Sequence, residues 1–158
     1  MTDARVTRLC NDIRAAQDEV MAVVTTLTPE QLAKPSINPG WSAQDVLVHI
    51  ATIPLRNLEM WHCVMEGREW TGLKSVIPWN EEMVAARRGK PASDIIAEYK
   101  KNVGALLDFL EHAPEGALDK EWDHPAASIG HTTLEVMANA GPRHHRKHLA
   151  EIVTAANS

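Results

Sequence analysis

Residues 6–27 read VTRLCNDIRAAQDEVMAVVTTL, with apolar side chains at Val6, Leu9, Cys10, Ile13, Val20, Val23, Val24 and Leu27. Steps of three and four residues place them along one side of a helix of about six turns. The alternation that marks a half-buried strand is absent here and gives no convincing signal elsewhere in the chain.

The segments that follow repeat the helical pattern. Thr28-Pro29-Glu30-Gln31 starts a short helix, with threonine as cap, proline at the first helical position and Gln31 closing a capping box. Pro35 to Gly40 form a loop. Ser42 and Asp45 open a second long helix that turns Val46, His49, Ile50, Ile53, Trp61 and Met65 inward and stops at Gly67. Pro54 lies inside it, where the missing N–H frees the Ile50 carbonyl and bends the segment.

Residues 68–79 read as a Trp-containing connection, and 80–88 as a short helix ended by Gly89. Pro91, Ser93 and Asp94 open a third long helix striped by Ile95, Ile96, Tyr99, Val103, Leu106, Leu107 and Leu110. Residues 113–131 form a long connection rich in turn residues. Thr132 with Glu135 caps the last helix, whose stripe is Leu134, Met137, Gly141, His148, Ile152 and Ala155.

Four long amphipathic helices, each hiding one face, predict an all-α four-helix bundle with long connections and short extra helices. At 158 residues the chain is expected to form one domain, 1–158. The connections before the second and third long helices exceed what a minimal up-down bundle needs, and are long enough to wall a pocket at one end.

Charge and composition narrow the function. A net charge of −5 argues against nucleic acid as the main partner, since phosphate binding calls for a basic face. Cys10 and Cys63 sit in apolar, helix-like segments without ligand spacing, and are expected to be reduced core residues. Met1 to Arg14 is polar where a signal peptide would be apolar, and no run approaches a membrane span. The cytoplasm is the expected compartment.

Chemistry concentrates in HHRKH, residues 144–148, which holds three of the eight histidines. Residues four apart on a helix differ by about 40° around its axis, and those three apart by about 60°. His144 and His148 therefore share a face, as do His145 and His148. The apolar stripe passes through His148, so that ring points inward, as does His49 on the second helix. A histidine on one helix and a pair on another is how a bundle holds a divalent metal in its core. Zinc, nickel and iron all accept imidazole, and three such ligands leave positions open for water or a reactant.

Spacing alone also allows the opposite reading, in which the HxxxH pair arises by chance and the core satisfies its imidazoles. A metalloprotease helix is excluded, because HExxH requires a glutamate where His145 stands. His62, His112, His124 and His131 suit surface or capping roles. No carboxylate, Asp45 included, is placed beside the three histidines by spacing, so no general base is assigned.

Three stretches go further. PGWSAQDVLVHIAT (39–52), WNEEMVAARRGKPASDIIAEY (79–99) and HHRKHLAEI (144–152) together resemble the DinB-like (YfiT-like) family of four-helix-bundle metalloenzymes, over nearly the whole chain. The resemblance implies that His49, His144 and His148 are the ligands of a divalent metal. It places His145 in a slot usually aromatic, which leaves His145 as a competitor to His144. Gly141-Pro142 also departs from the pattern, just before the pair. The resemblance further implies a homodimer, and activities that include thiol-dependent transferases or isomerases using a low-molecular-weight thiol such as mycothiol or bacillithiol.

The expectation is therefore a metal-dependent enzyme that transfers or hydrolyses a small electrophilic substrate, in thiol detoxification or stress response. Trp41, Trp70, Trp79 and Asn80 are candidates for the rim of its pocket, with ordinary packing as the alternative for each tryptophan. A second reading is a bundle that captures a metal or small ligand without turnover. A third is a bundle that only associates with itself or a partner.

Overall fold

The computed structural model describes residues 3–72 and 75–158. Among these residues six helices appear, in the order α1 (Ala4–Val24), α2 (Pro29–Leu32), α3 (Ala43–Glu66), α4 (Val76–Ala85), α5 (Ala92–Glu111) and α6 (Leu134–Ala156). A single 3-10 turn at Ala117–Asp119 and two short strands, β1 (Glu121–Asp123) and β2 (His131–Thr133), lie between α5 and α6. The four long helices α1, α3, α5 and α6 form the four-helix bundle. Among the described residues, no helix is long and apolar enough to cross a membrane.

Local chemistry explains the boundaries that the sequence foretold. At α2, Thr28 and Gln31 exchange both capping-box bonds. At α3, Ser42 and Asp45 do the same, at 2.9 and 3.1 Å. These pairs satisfy amide donors that the first turn of a helix leaves without partners. Gly67 closes α3 at φ 66°, a left-handed conformation that costs glycine little. Both α3 and α6 stay helical through their internal prolines, Pro54 and Pro142.

Several expectations are corrected. α1 stops at Val24, with Leu27 packed against the core from the following turn. α4 begins at Val76 rather than 80, so the expected connection over 68–79 is shorter, and residues 73 and 74 of it lie outside the described residues. Pro78 is no obstacle, because its position in the first turn has no intrahelical N–H bond to lose. The cap of α6 is Thr133, whose hydroxyl accepts from Val136 N at 3.2 Å; Thr132 is buried in β2. The strands themselves were not legible: β1 and β2 pair antiparallel over three residues each, too short to show a period.

α3 packs against α5 and α6, and α1 also packs against α5 and α6. Consecutive helices α1 and α3 thus stand diagonally across the bundle, and so do α5 and α6. An up-down bundle places every consecutive pair side by side and needs only short loops. Here residues 25–42 and 112–133 must each cross the bundle end, which accounts for their length.

The core is continuous across all four helices. Leu9, Val20, Leu47, Ile50, Trp61, Ile95, Tyr99, Leu110 and Ile152 are buried at 2% exposure or less. Cys10 and Cys63 are free thiols buried in the helices. Buried polar residues interrupt this interior: His49, Asp45, Thr52 and Arg56 on α3, Asn102 on α5, Thr132 on β2, and His145 and His148 on α6.

Candidate metal centre

The residues of HHRKH divide among the neighbouring helices, as the 100° step of a helix requires. His144 and His148 meet His49 of α3. His145 turns to Tyr99 of α5, with the hydroxyl 3.1 Å from Nδ1. Arg146 faces α1 and pairs with Asp12 and Glu19 at 2.9 and 3.0 Å. Lys147 is exposed.

Nε2 of His144 lies 3.1 Å from Nε2 of His49 and 3.1 Å from Nε2 of His148. The rings stand edge to face, at interplanar angles of 68° to 80°. His49, His144 and His148 are a three-residue group with ligand atoms all within 4.8 Å of one another. Burial, followed by the neighbouring imidazoles, pushes the pKa of His49 down to about 4 and of His144 to about 3. Both rings are neutral near pH 7.

Hydrogen bonding satisfies this arrangement poorly. A neutral ring nitrogen holds either one proton or one lone pair, in the ring plane. His144 Nε2 can therefore serve one of its two close neighbours with a linear bond but not both. One proton or one lone pair can at best be shared between the two contacts as a bent three-centre bond, which is weaker than a linear one. A divalent cation removes the conflict: imidazole binds zinc at about 2.0–2.1 Å, and nitrogens 3.1 Å apart can both lie at that distance from one point. The donor set fits a divalent metal.

A carboxylate orients one of the three rings. Nδ1 of His148 donates to Glu151 at 2.7 Å, which fixes the tautomer and leaves the lone pair on Nε2, facing the cluster. The carboxyl of Glu151 in turn accepts from Asn38 Nδ2 at 3.3 Å. Although burial raises the pKa of Glu151, the bonds from His148 and Asn38 outweigh it and hold the group below its ordinary value. This overturns the expectation that spacing puts no carboxylate beside the histidines. Glu151 stands three residues after His148, a spacing that brings side chains together on a helix and was open to inspection.

The remaining candidates separate into two groups. The Trp41 ring centroid lies 5.7 Å from that of His49, and its indole N–H donates to Glu81 of α4 at 3.0 Å. Asn80 also lies against His49. Trp70 and Trp79 flank Arg56 instead, with its guanidinium 4.5 and 5.6 Å from the two ring centroids. Arg56 follows His49 by seven residues, about 10 Å further along the same face of α3. Trp70 also lines a cavity of about 520 Å³ with Met60, Val64 and Trp122. A groove of about 410 Å³ between the 35–37 loop and α6 reaches Glu151, with Ile37, Ala150 and Thr154 along its apolar walls.

His62 and His112 are exposed, the second capping α5. His131 is exposed beside Glu121 and Asp123. His124 is half-buried in the connection before α6. Sequence reasoning did not foresee Tyr99 as a partner of His145, although Tyr99 stood on the predicted inward stripe.

The helices adopt the four-helix-bundle fold of YfiT, and α3 and α6 bring three imidazoles together within it. The chain belongs to the family of the mycothiol maleylpyruvate isomerase N-terminal domain, whose profile matches residues 13–140. That stretch includes His49 and ends before His144. Comparison with curated protein sequences gave no match. Among solved structures, the mycothiol-dependent maleylpyruvate isomerase superposes with a TM-score of 0.79 at 14% identity over 93% of this chain. The chain spans 60% of that protein's length. YfiT from Bacillus subtilis, described as a probable metal-dependent hydrolase with an unusual four-helix bundle topology, superposes with a TM-score of 0.74 at 16% identity. That match covers 99% of this chain and 89% of YfiT.

Proposed function

We propose that the protein is a metal-dependent enzyme that uses His49, His144 and His148 to hold a divalent cation of the zinc, nickel or iron type. The observation that carries this reading is the convergence of three imidazoles, with a pair of 3.1 Å Nε2 contacts that a single proton cannot serve with two linear hydrogen bonds. Such a cation supplies Lewis-acid chemistry at its open positions, lowering the pKa of a bound water or thiol. Three protein ligands leave room for that role, whereas a closed structural site takes four.

The chain's own residues prepare the centre. Burial keeps His49 and His144 unprotonated, so their lone pairs are available near pH 7. Glu151 holds the proton of His148 on Nδ1, away from the cluster. Ile37 and the apolar side of α6 offer a surface on which a small, uncharged part of a substrate can rest beside Glu151. Family membership and the likeness to a mycothiol-dependent isomerase favour a low-molecular-weight thiol as cosubstrate and a small electrophile as its partner.

Elemental analysis of untagged protein tests the centre directly. One divalent metal per chain is expected, falling below a tenth in His148→Ala. The loaded protein should consume a thiol together with an electrophile such as maleylpyruvate, and His49→Ala should abolish that turnover. Full metal content in His148→Ala refutes the centre. Metal capture at fixed stoichiometry, with no product over long incubation for either thiol transfer or hydrolysis, refutes the enzyme and leaves a binding protein.

A further inference from the structure

Three buried atoms at or beside the cluster lack hydrogen-bond partners, Nδ1 of His49, Nδ1 of His144 and Oδ1 of Asn80, and the amide oxygen is complementary to the ring N–H of the histidine it lies against, His49. Asn80 stands in α4 and lies against His49, near enough for its amide to favour the charged imidazole. Glu81, the next residue, accepts from the indole of Trp41 at 3.0 Å, and the Trp41 ring in turn sits beside the His49 ring. Consecutive residues of α4 thus reach the same imidazole, one directly and one through a tryptophan.

The chemistry of a ligating histidine makes this pairing consequential. When Nε2 gives its lone pair to a cation, the ring proton resides on Nδ1. That N–H then needs an acceptor, because a buried donor without one is costly. The atom that Asn80 leaves unsatisfied is its carbonyl oxygen, an acceptor. Glu151 already plays the corresponding part for His148, and α3 supplies no such group for His49.

We propose that Asn80 is the positioning residue of His49: its Oδ1 accepts the Nδ1–H bond when a divalent cation occupies the cluster, which makes α4 a clamp on that ligand. This inference rests on the metal reading above. It assigns α4 a purpose beyond covering the bundle, since loading the centre draws Asn80 and Glu81 against α3. It also ranks the candidate rim residues, with Asn80 acting on the metal through His49 and not on the substrate.

The test is the dissociation constant for Zn(II), measured by competition with a chromogenic chelator, on wild type, Asn80→Ala and Asn80→Asp. Thermal melting of each metal-free protein serves as the fold check. Asn80→Ala is expected to weaken binding about 10–100-fold, the usual effect of removing a ligand's outer partner. Asn80→Asp retains an acceptor and should bind zinc at least as tightly as wild type. The visible spectrum of the cobalt-loaded protein should shift in Asn80→Ala and return in Asn80→Asp, which a merely structural role would not produce. Wild-type affinity in Asn80→Ala overturns the clamp while leaving the metal reading intact. If Asn80→Ala fails to fold, Asn80→Asp decides: weaker binding than wild type overturns the clamp. A wild-type chain that binds no zinc, nickel or iron removes both readings together.

Discussion

His144 and His145 are neighbours in the chain, both are pushed far below the ordinary histidine pKa by burial, and they end in opposite chemical situations. His145 has a matched partner at Nδ1. Tyr99 offers a hydroxyl that can donate to or accept from Nδ1, so at that nitrogen one donor meets one acceptor. His144 meets two more imidazoles through one nitrogen and can satisfy only one of them with a linear bond. A rotation of 100° about α6 separates a ring that finishes the core from a ring that needs an ion. Burial and a lowered pKa are common to both, so neither identifies a ligand. What distinguishes them is whether the partner group can share a proton.

The largest effect that could break this contrast is in metal content. His144→Gln should reduce bound divalent metal from one per chain to near none, whereas His145→Gln should leave it at one in the folded protein. Elemental analysis after gel filtration measures both. Metal lost from His145→Gln and kept in His144→Gln would reverse the assignment of the two rings.

Acid titration sharpens the contrast next. His49, His144 and His145 are held to about 4, 3 and 4, below the 6.5 of an unfolded histidine. Between pH 6.5 and about 4 the unfolded chain binds protons that the metal-free native chain refuses, so stability falls as pH falls. Each group contributes a slope of about 1.4 kcal/mol per pH unit in that window, somewhat less for half-buried His144. Urea unfolding of metal-free protein at pH 7, 6 and 5 should show a steep loss, and His145→Gln should remove about a third of the slope. A profile flat from pH 7 to 5 would mean that these rings open to solvent at little cost. Because protons and metal compete for the same nitrogens, metal affinity should also fall with pH.

Long-range organisation was legible where a local rule carried it. The capping boxes at Thr28 and Ser42, the stop at Gly67 and the four stripes define the helices, and each rests on residues within a few positions of one another. The inward side of α3 and α6 likewise located His49 and His148. The diagonal order of the helices was hidden, because stripes show that a face is buried and not which helix buries it. Glu151 escaped although its spacing to His148 is local, since attention to ligands does not find the group behind a ligand. Spacing left His144 and His145 open and only the resemblance favoured His144; the residue that takes His145 away, Tyr99, is 46 positions distant.

Tyr99→Phe gives the smallest and cleanest separation. It removes one oxygen from a fully buried residue and keeps the ring, so the packing of α5 against α6 is preserved. His145 Nδ1 then has no partner in a site without water access, and a buried polar atom stranded in this way costs about 1–3 kcal/mol. Urea denaturation should show a loss in that range. The second readout is what tests the contrast. If His145 belongs to the core, zinc affinity should stay within about twofold of wild type, since His144, His148 and His49 keep every contact they had. If the hydroxyl instead steadies α6 for ligation, affinity falls together with stability, and the two neighbouring histidines act as one unit rather than as two.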